Sequence, residues 1–215
     1  MKEDFWRDKW TANEIGFHED RPNELLTRHI ASLKLASGQR ICIPLCGKTN
    51  DIAWLLDKGF RVVGIELVET AIQQLFASLE LTPEIAQLDQ LKRYRASNID
   101  IFVGNIFNVD GAMLGRVDAI YDRAALVALP PRMRSDYGGH LATITEGAQQ
   151  LLISFDYDQQ CMSGPPFSVP TDELKRIYGN SYHLHLLESQ TLPGGLKGKC
   201  PALEEAWLLT PRLLE

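Results

Sequence analysis

Residues 40–66 read RICIPLCGKTNDIAWLLDKGFRVVGIE. The stretch opens on a short apolar run, Arg40–Ile43, and then meets Pro44, Cys46 and Gly47. Asn50–Lys58 carries helical spacing, with Ile52, Ala53, Leu55 and Leu56 on its apolar side. Thr49 or Asn50 can cap its start, and Gly59 stands just past its end. A second apolar run, Arg61–Leu67, contains Glu66 at its close. Strand, turn, helix, strand is the outline of a nucleotide-binding unit. Its usual three-glycine signature is missing, and only Gly47 remains.

The same alternation extends outward. Glu3–Asn13 reads as a short helix bearing Phe5, Trp6 and Trp10, and Asn23–Leu35 as a second helix. Glu69–Leu79 is a crossover helix. Ile99–Val103, Val117–Tyr121 and Gln150–Tyr157 are further strands. Arg132–Thr145 is helical despite Gly138 and Gly139, and Thr171–Tyr178 is a helix capped by Thr171. His183–Ser189 and Glu204–Thr210 form an antiparallel pair joined by LPGGLKGKCP. Leu81–Ser97 is polar and suggests no element. Strands alternating with helices imply an α/β fold, a parallel sheet wound with helices on both faces. Residues 1–215 are expected to form one domain.

Composition narrows the function classes. The 215 residues are 45% apolar and 23% charged, ordinary for a soluble globular protein. A formal charge of −6 offers phosphate backbones no broad basic face, so no nucleic-acid partner is expected. The nearest basic cluster, Lys92, Arg93 and Arg95, reads as a solvated loop. No apolar run reaches the roughly 18 residues of a membrane span, and the charged, aromatic N-terminus is unlike a secretory signal. The expectation is a cytoplasmic protein without a membrane partner. Cys42, Cys46, Cys161 and Cys200 contain no C-x-x-C pair and read as reduced thiols. His183 with His185, and Asp156 with Asp158, each lack a third ligand, so no metal is expected.

In a doubly wound sheet, ligands bind at the carboxyl ends of the strands. Gly47 allows a close backbone approach there. Glu66, about 20 residues further on, is placed to accept hydrogen bonds from ribose hydroxyls and disfavours a ribose phosphate. Asn105 and Ile106 follow the third strand, where an adenine would lie. Asp122 and Arg123 follow the fourth, where the reactive end of a cofactor meets a second substrate.

These motifs resemble the thiopurine S-methyltransferase family. PLCGK with the downstream VVGIE, then GNIF (104–107), YDRAALVALP (121–130) and GPPFSVP (164–170), match its pattern. FWRDKWTANEIGFHEDRPNELL (5–26) matches its N-terminal segment. The resemblance implies a class I S-adenosylmethionine-dependent methyltransferase fold. Its seven-stranded, mostly parallel sheet spans residues 39–215, with residues 1–38 as an N-terminal helical lid. It implies S-adenosylmethionine as cofactor, with Trp10 and Leu45 at its methionine and sulfonium part, Glu66 at the ribose and Ile106 at the adenine. Arg123 would lie near donor and acceptor, Phe17 would line the acceptor pocket and Trp6 would support the lid. The implied acceptors are aromatic and heterocyclic thiols such as thiopurines, with selenium or tellurium compounds as further candidates.

On that reading Arg123 favours an ionised thiol, and Asp122 orients it or relays a proton. A small-molecule acceptor and a monomeric enzyme are expected. Two other classes compete. An NAD-dependent oxidoreductase would want the missing glycines beside its pyrophosphate. A non-catalytic adenosyl-cofactor-binding protein would have no use for an acceptor pocket.

Overall fold

The computed structural model of the protein describes residues 3–12, 14 and 18–212. Among the described residues nine strands form one sheet: β1 (Arg40–Pro44), β2 (Arg61–Glu66), β3 (Glu84–Leu88), β4 (Leu91–Ala96), β5 (Ile99–Val103), β6 (Ala119–Arg123), β7 (Gln149–Tyr157), β8 (Tyr182–Thr191) and β9 (Ala202–Pro211). The helices are α1 (Glu3–Thr11), α2 (Glu24–His29), α3 (Asn50–Asp57), α4 (Glu69–Ser78), α5 (Gly111–Leu114), α6 (Pro131–Ile144) and α7 (Thr171–Tyr178).

The strand order is β3-β4-β5-β2-β1-β6-β7-β9-β8. From β5 to β7 neighbouring strands run parallel, and β9 is antiparallel to both β7 and β8. This is the expected seven-stranded sheet, extended at one edge by a hairpin. The hairpin, β3 and β4, lies within Leu81–Ser97, the segment without a sequence assignment. β3 pairs antiparallel with β4, and β4 with β5. It escaped pattern reading because β3 is an edge strand that is mostly exposed, with only Leu91 and Tyr94 of β4 buried. Lys92, Arg93 and Arg95 therefore lie on a strand and not on a loop. Lys92 Nζ donates to both Glu69 oxygens at 2.8 Å, and Arg95 Nε to Asp100 at 2.6 Å. The N-cap position of α7 belongs to Pro170, with no side-chain cap, so Thr171 is its first helical residue.

The strand period sorts the core into two layers. Cys42, Val63, Ile65, Phe102, Ile120 and Leu152 face the side covered by α6 and α7, against Tyr137, Leu141 and Leu174. Ile41, Ile43, Val62, Ile101, Tyr121 and Leu151 face the side covered by α2, α3 and α4, against Leu26, Ile52, Leu55 and Ile72. With both faces covered, the central strands read as continuous apolar runs rather than alternating ones.

Candidate active site

The carboxyl ends of β1, β2 and β6 open into one cavity of about 1450 Å³. The β1 turn enters it first. Leu45 adopts φ 47° and Gly47 φ 53°, and both line the cavity. A left-handed conformation costs a branched side chain on the order of 1–2 kcal/mol. Such strain persists where surrounding contacts hold it, and Cys46 N donates to Ile65 O at 3.0 Å across the turn. Trp10 of α1 closes over this turn. It is buried with Val68 and Ala71, and a Cβ on Gly47 would come within 3.2 Å of its ring.

Glu66 ends β2 and is 6% exposed. Its Oε2 accepts the Gly47 amide and its Oε1 the Val68 amide, each at 2.8 Å. Burial pushes its pKa up, and the amides of Val68, Gly47 and Leu67 oppose that shift. One carboxylate thus clamps the β1 turn to the β2 end, and each oxygen keeps acceptor capacity for a further donor.

Arg123 ends β6 on the cavity side, with its side chain 11% exposed. Its Nη2 pairs with Glu19 Oε1. Tyr121, two residues earlier, shares that face and donates from its hydroxyl to Asp51 Oδ2 at 3.0 Å. Asp51 Oδ1 accepts Asn23 N at 2.7 Å, and Asn50 Nδ2 donates to Glu19 O at 2.8 Å. These bonds pin residues 19–23 to the first turn of α3, beside Arg123.

Asp122 points the other way. A strand alternates its side chains, so the neighbour of a cavity residue faces the opposite layer. Asp122 is fully buried there, accepting Tyr137 Oη at 2.6 Å and Leu126 N at 3.1 Å. Burial pushes its pKa up to about 6, against the pull of those bonds. It does not orient Arg123, as the sequence suggested. Glu19 meets Arg123 instead, and Asp122 fastens the β6 end to α6.

The other candidates divide. Trp6 lines the cavity beside Trp10. Phe17 lies outside the described residues. Asn105 and Ile106 sit at the β5 end next to Glu66, where Gly104 N donates to Glu66 O at 2.8 Å. They do not line the open cavity: Asn105 caps its own turn by accepting Phe107 N, and Ile106 is buried with its carbonyl 2.9 Å from His140 Nε2. Sequence reasoning passed over Glu19, Tyr121 and Glu204, which also line the cavity. The strand period of YDR carried the signal for Tyr121. Glu19 and Glu204 left none, since their place depends on how distant segments pack. Among the described residues no cluster suits a metal ion, and His183 and His185 are exposed on β8.

Comparison with known proteins decides the family. The profile of the family "Thiopurine S-methyltransferase (TPMT)" matches residues 1–205. The chain belongs to the thiopurine S-methyltransferase family. It is 49% identical to the thiopurine S-methyltransferase of Gluconobacter oxydans, over 96% of this chain and 94% of that protein. It is 49% identical to that of Xanthobacter autotrophicus, over 97% of this chain and 99% of that one. In fold it is similar to the 1,6-didemethyltoxoflavin-N1-methyltransferase of Burkholderia thailandensis, with TM-score 0.66, 14% identity, and 97% of this chain against 87% of that one. It is likewise similar to the magnesium protoporphyrin IX methyltransferase of Synechocystis, with TM-score 0.63, 13% identity, and 95% of this chain against 98% of that one.

The protein is thus an S-adenosylmethionine-dependent methyltransferase of the thiopurine S-methyltransferase family, with the class I methyltransferase fold. The residues at the β1 and β2 ends fit that cofactor. A buried carboxylate with spare acceptor capacity suits ribose hydroxyls, and the apolar Leu45 and Trp10 suit a thioether chain and sulfonium. A turn carrying Leu and Cys side chains where a pyrophosphate would need bare backbone suits a ligand without phosphate.

Proposed function

We propose that the protein transfers the methyl group of S-adenosylmethionine to the sulfur of an aromatic or heterocyclic thiol, thiopurines included. One observation carries this reading. Arg123, a guanidinium largely withdrawn from water, stands on the wall of the same cavity as Leu45, Gly47 and Glu66. When bound, S-adenosylmethionine supplies a methyl group already activated by the positive charge of its sulfonium. The chain is left with three tasks: position, exclusion of water and stabilisation of the nucleophile.

Glu66 holds ribose hydroxyls, and the adenine extends from it toward the β5 end, where Asn105 and Ile106 sit beside the cavity. Trp6 and Trp10 cover the β1 turn and keep water from the reacting atoms. A guanidinium carries a fixed positive charge, so a thiol placed beside Arg123 ionises more readily. A thiolate approaching a cation loses charge on reaction, and a dry site favours that change over open water. Selenolates and tellurium nucleophiles are soft anions of the same kind and belong in the same reading.

Purified protein assayed with S-adenosylmethionine against thiopurines, thiophenols, selenols and tellurite tests the substrate class. Arg123→Ala should lower kcat/KM with thiols on the order of a hundredfold, the usual cost of removing a group that stabilises reacting charge. Arg123→Lys should recover part of it, since a point charge does not reproduce a planar guanidinium. Wild-type activity in both variants near neutral pH would remove Arg123 from the mechanism.

A further inference from the structure

Methylating a thiol releases a proton, and Arg123 cannot take it. The carboxylate that meets Arg123 belongs to Glu19. Its Oε1 accepts from Arg123 Nη2 inside the cavity, and its backbone is fixed by the Asn50 bond. Glu19 is also 48% exposed, so it touches both the reacting cavity and bulk water.

We propose that Glu19 accepts the proton of the acceptor thiol as Arg123 stabilises the sulfur left behind. The proposal rests on the thiol reading above. The S–H bond breaks and its proton moves to a Glu19 carboxylate oxygen. The electron pair stays on sulfur and forms the new S–C bond to the methyl group. The old C–S bond breaks with its pair going to the departing thioether, which cancels the sulfonium charge. Glu19 then releases the proton to solvent, and the carboxylate pairs again with Arg123.

The surroundings of Glu19 suit this role. Arg123 from β6, Asp51 from α3, Glu204 from β9 and Glu24 from α2 all act on it. Burial raises its pKa first, Arg123 opposes, and the three acidic neighbours raise it again. A carboxylate held above its ordinary range is a better base near neutral pH. His18 and Asp20 flank Glu19 in the chain, and Arg21 follows; all three line the same cavity. Burial and then Lys48 push the pKa of His18 down, and Asp20 opposes that shift.

The test compares wild-type enzyme with Glu19→Gln and Glu19→Asp across substituted thiophenols of graded acidity. A thiol already ionised in solution needs no base. Glu19→Gln should therefore lose about tenfold or more in kcat on the least acidic thiols and stay within about twofold on the most acidic, with Glu19→Asp in between. A second readout needs no turnover. With S-adenosylhomocysteine bound, a weakly acidic thiophenol should enter the wild type as thiolate, seen by its ultraviolet band. Calorimetry in two buffers should show no proton released. Glu19→Gln should lose the band. An equal loss on every thiol, or a variant with the wild-type band and proton count, would overturn the role of Glu19 alone. Wild-type enzyme that methylates no thiol would overturn the thiol reading and this role together.

Discussion

Adjacent residues on β6 have opposite fates. Arg123 faces the cavity, and Asp122 is sealed beneath the sheet against Tyr137. Its buried carboxyl titrates at about 6 rather than 3.8, which makes it a stability group. The sign follows from linkage. Above about pH 6 both folded and unfolded states hold the carboxylate ionised, and the folded state bears the full cost of burying it. As pH falls from about 6 to about 4, the folded state takes up the proton first and gains relative stability, on the order of 3 kcal/mol. Asp122→Asn removes this titration. Urea unfolding at about pH 7 and about pH 4 should show the variant faring better against wild type at the higher pH. An identical difference at both pH values would mean that Asp122 does not titrate in this window.

At the scale of elements, α6 shows how packing overrides propensity. Gly138 and Gly139 weaken an isolated helix by about 1 kcal/mol each relative to Ala, yet α6 runs unbroken through them. A Cβ on Gly138 would lie 2.7 Å from Ile177 Cγ2 and 3.1 Å from Tyr178 Cε1. Gly138 is what lets α7 approach α6. Gly139 has open space around it. Gly138→Ala should therefore destabilise by about 1–3 kcal/mol through overcrowding, and Gly139→Ala should stabilise by up to about 1 kcal/mol through helix propensity. Thermal unfolding of the pair checks both signs, and matching shifts would discard the packing account. The β3–β4 hairpin makes the same point in reverse. Its polar, edge-strand pattern resembles a loop until β5 is there to pair with β4.

On the scale of the whole molecule, α1 stands apart. Trp10 packs with Val68, Ala71, Trp6 and Leu67 in a small cluster distinct from both faces of the sheet. We expect removal of residues 1–12 to leave the sheet folded, costing no more than about 3 kcal/mol, while cofactor affinity and turnover fall. Circular dichroism, urea unfolding and a methyl-transfer assay separate these effects. Unchanged turnover would end the lid interpretation.

The chain alone determined much of this molecule. The continuous apolar runs around Cys42, Val63 and Ile101, the single glycine at Gly47 and the carboxylate at Glu66 are local signals. Local signals suffice because a short apolar run bounded by turn residues, and the turn itself, are set within a few residues. They specified the α/β sheet, the ligand-binding strand ends and the family motifs. Only the tertiary structure decided that Glu19, 104 positions away in the chain, meets Arg123, and that Asp122 turns from the cavity. It also decided that residues 84–96 complete the edge of the sheet. The first two depend on partners from other segments, and such side-chain pairing is settled by packing, which leaves no periodic trace in either segment alone. The third is a local meander whose mostly exposed strands carry too few buried positions to mark them.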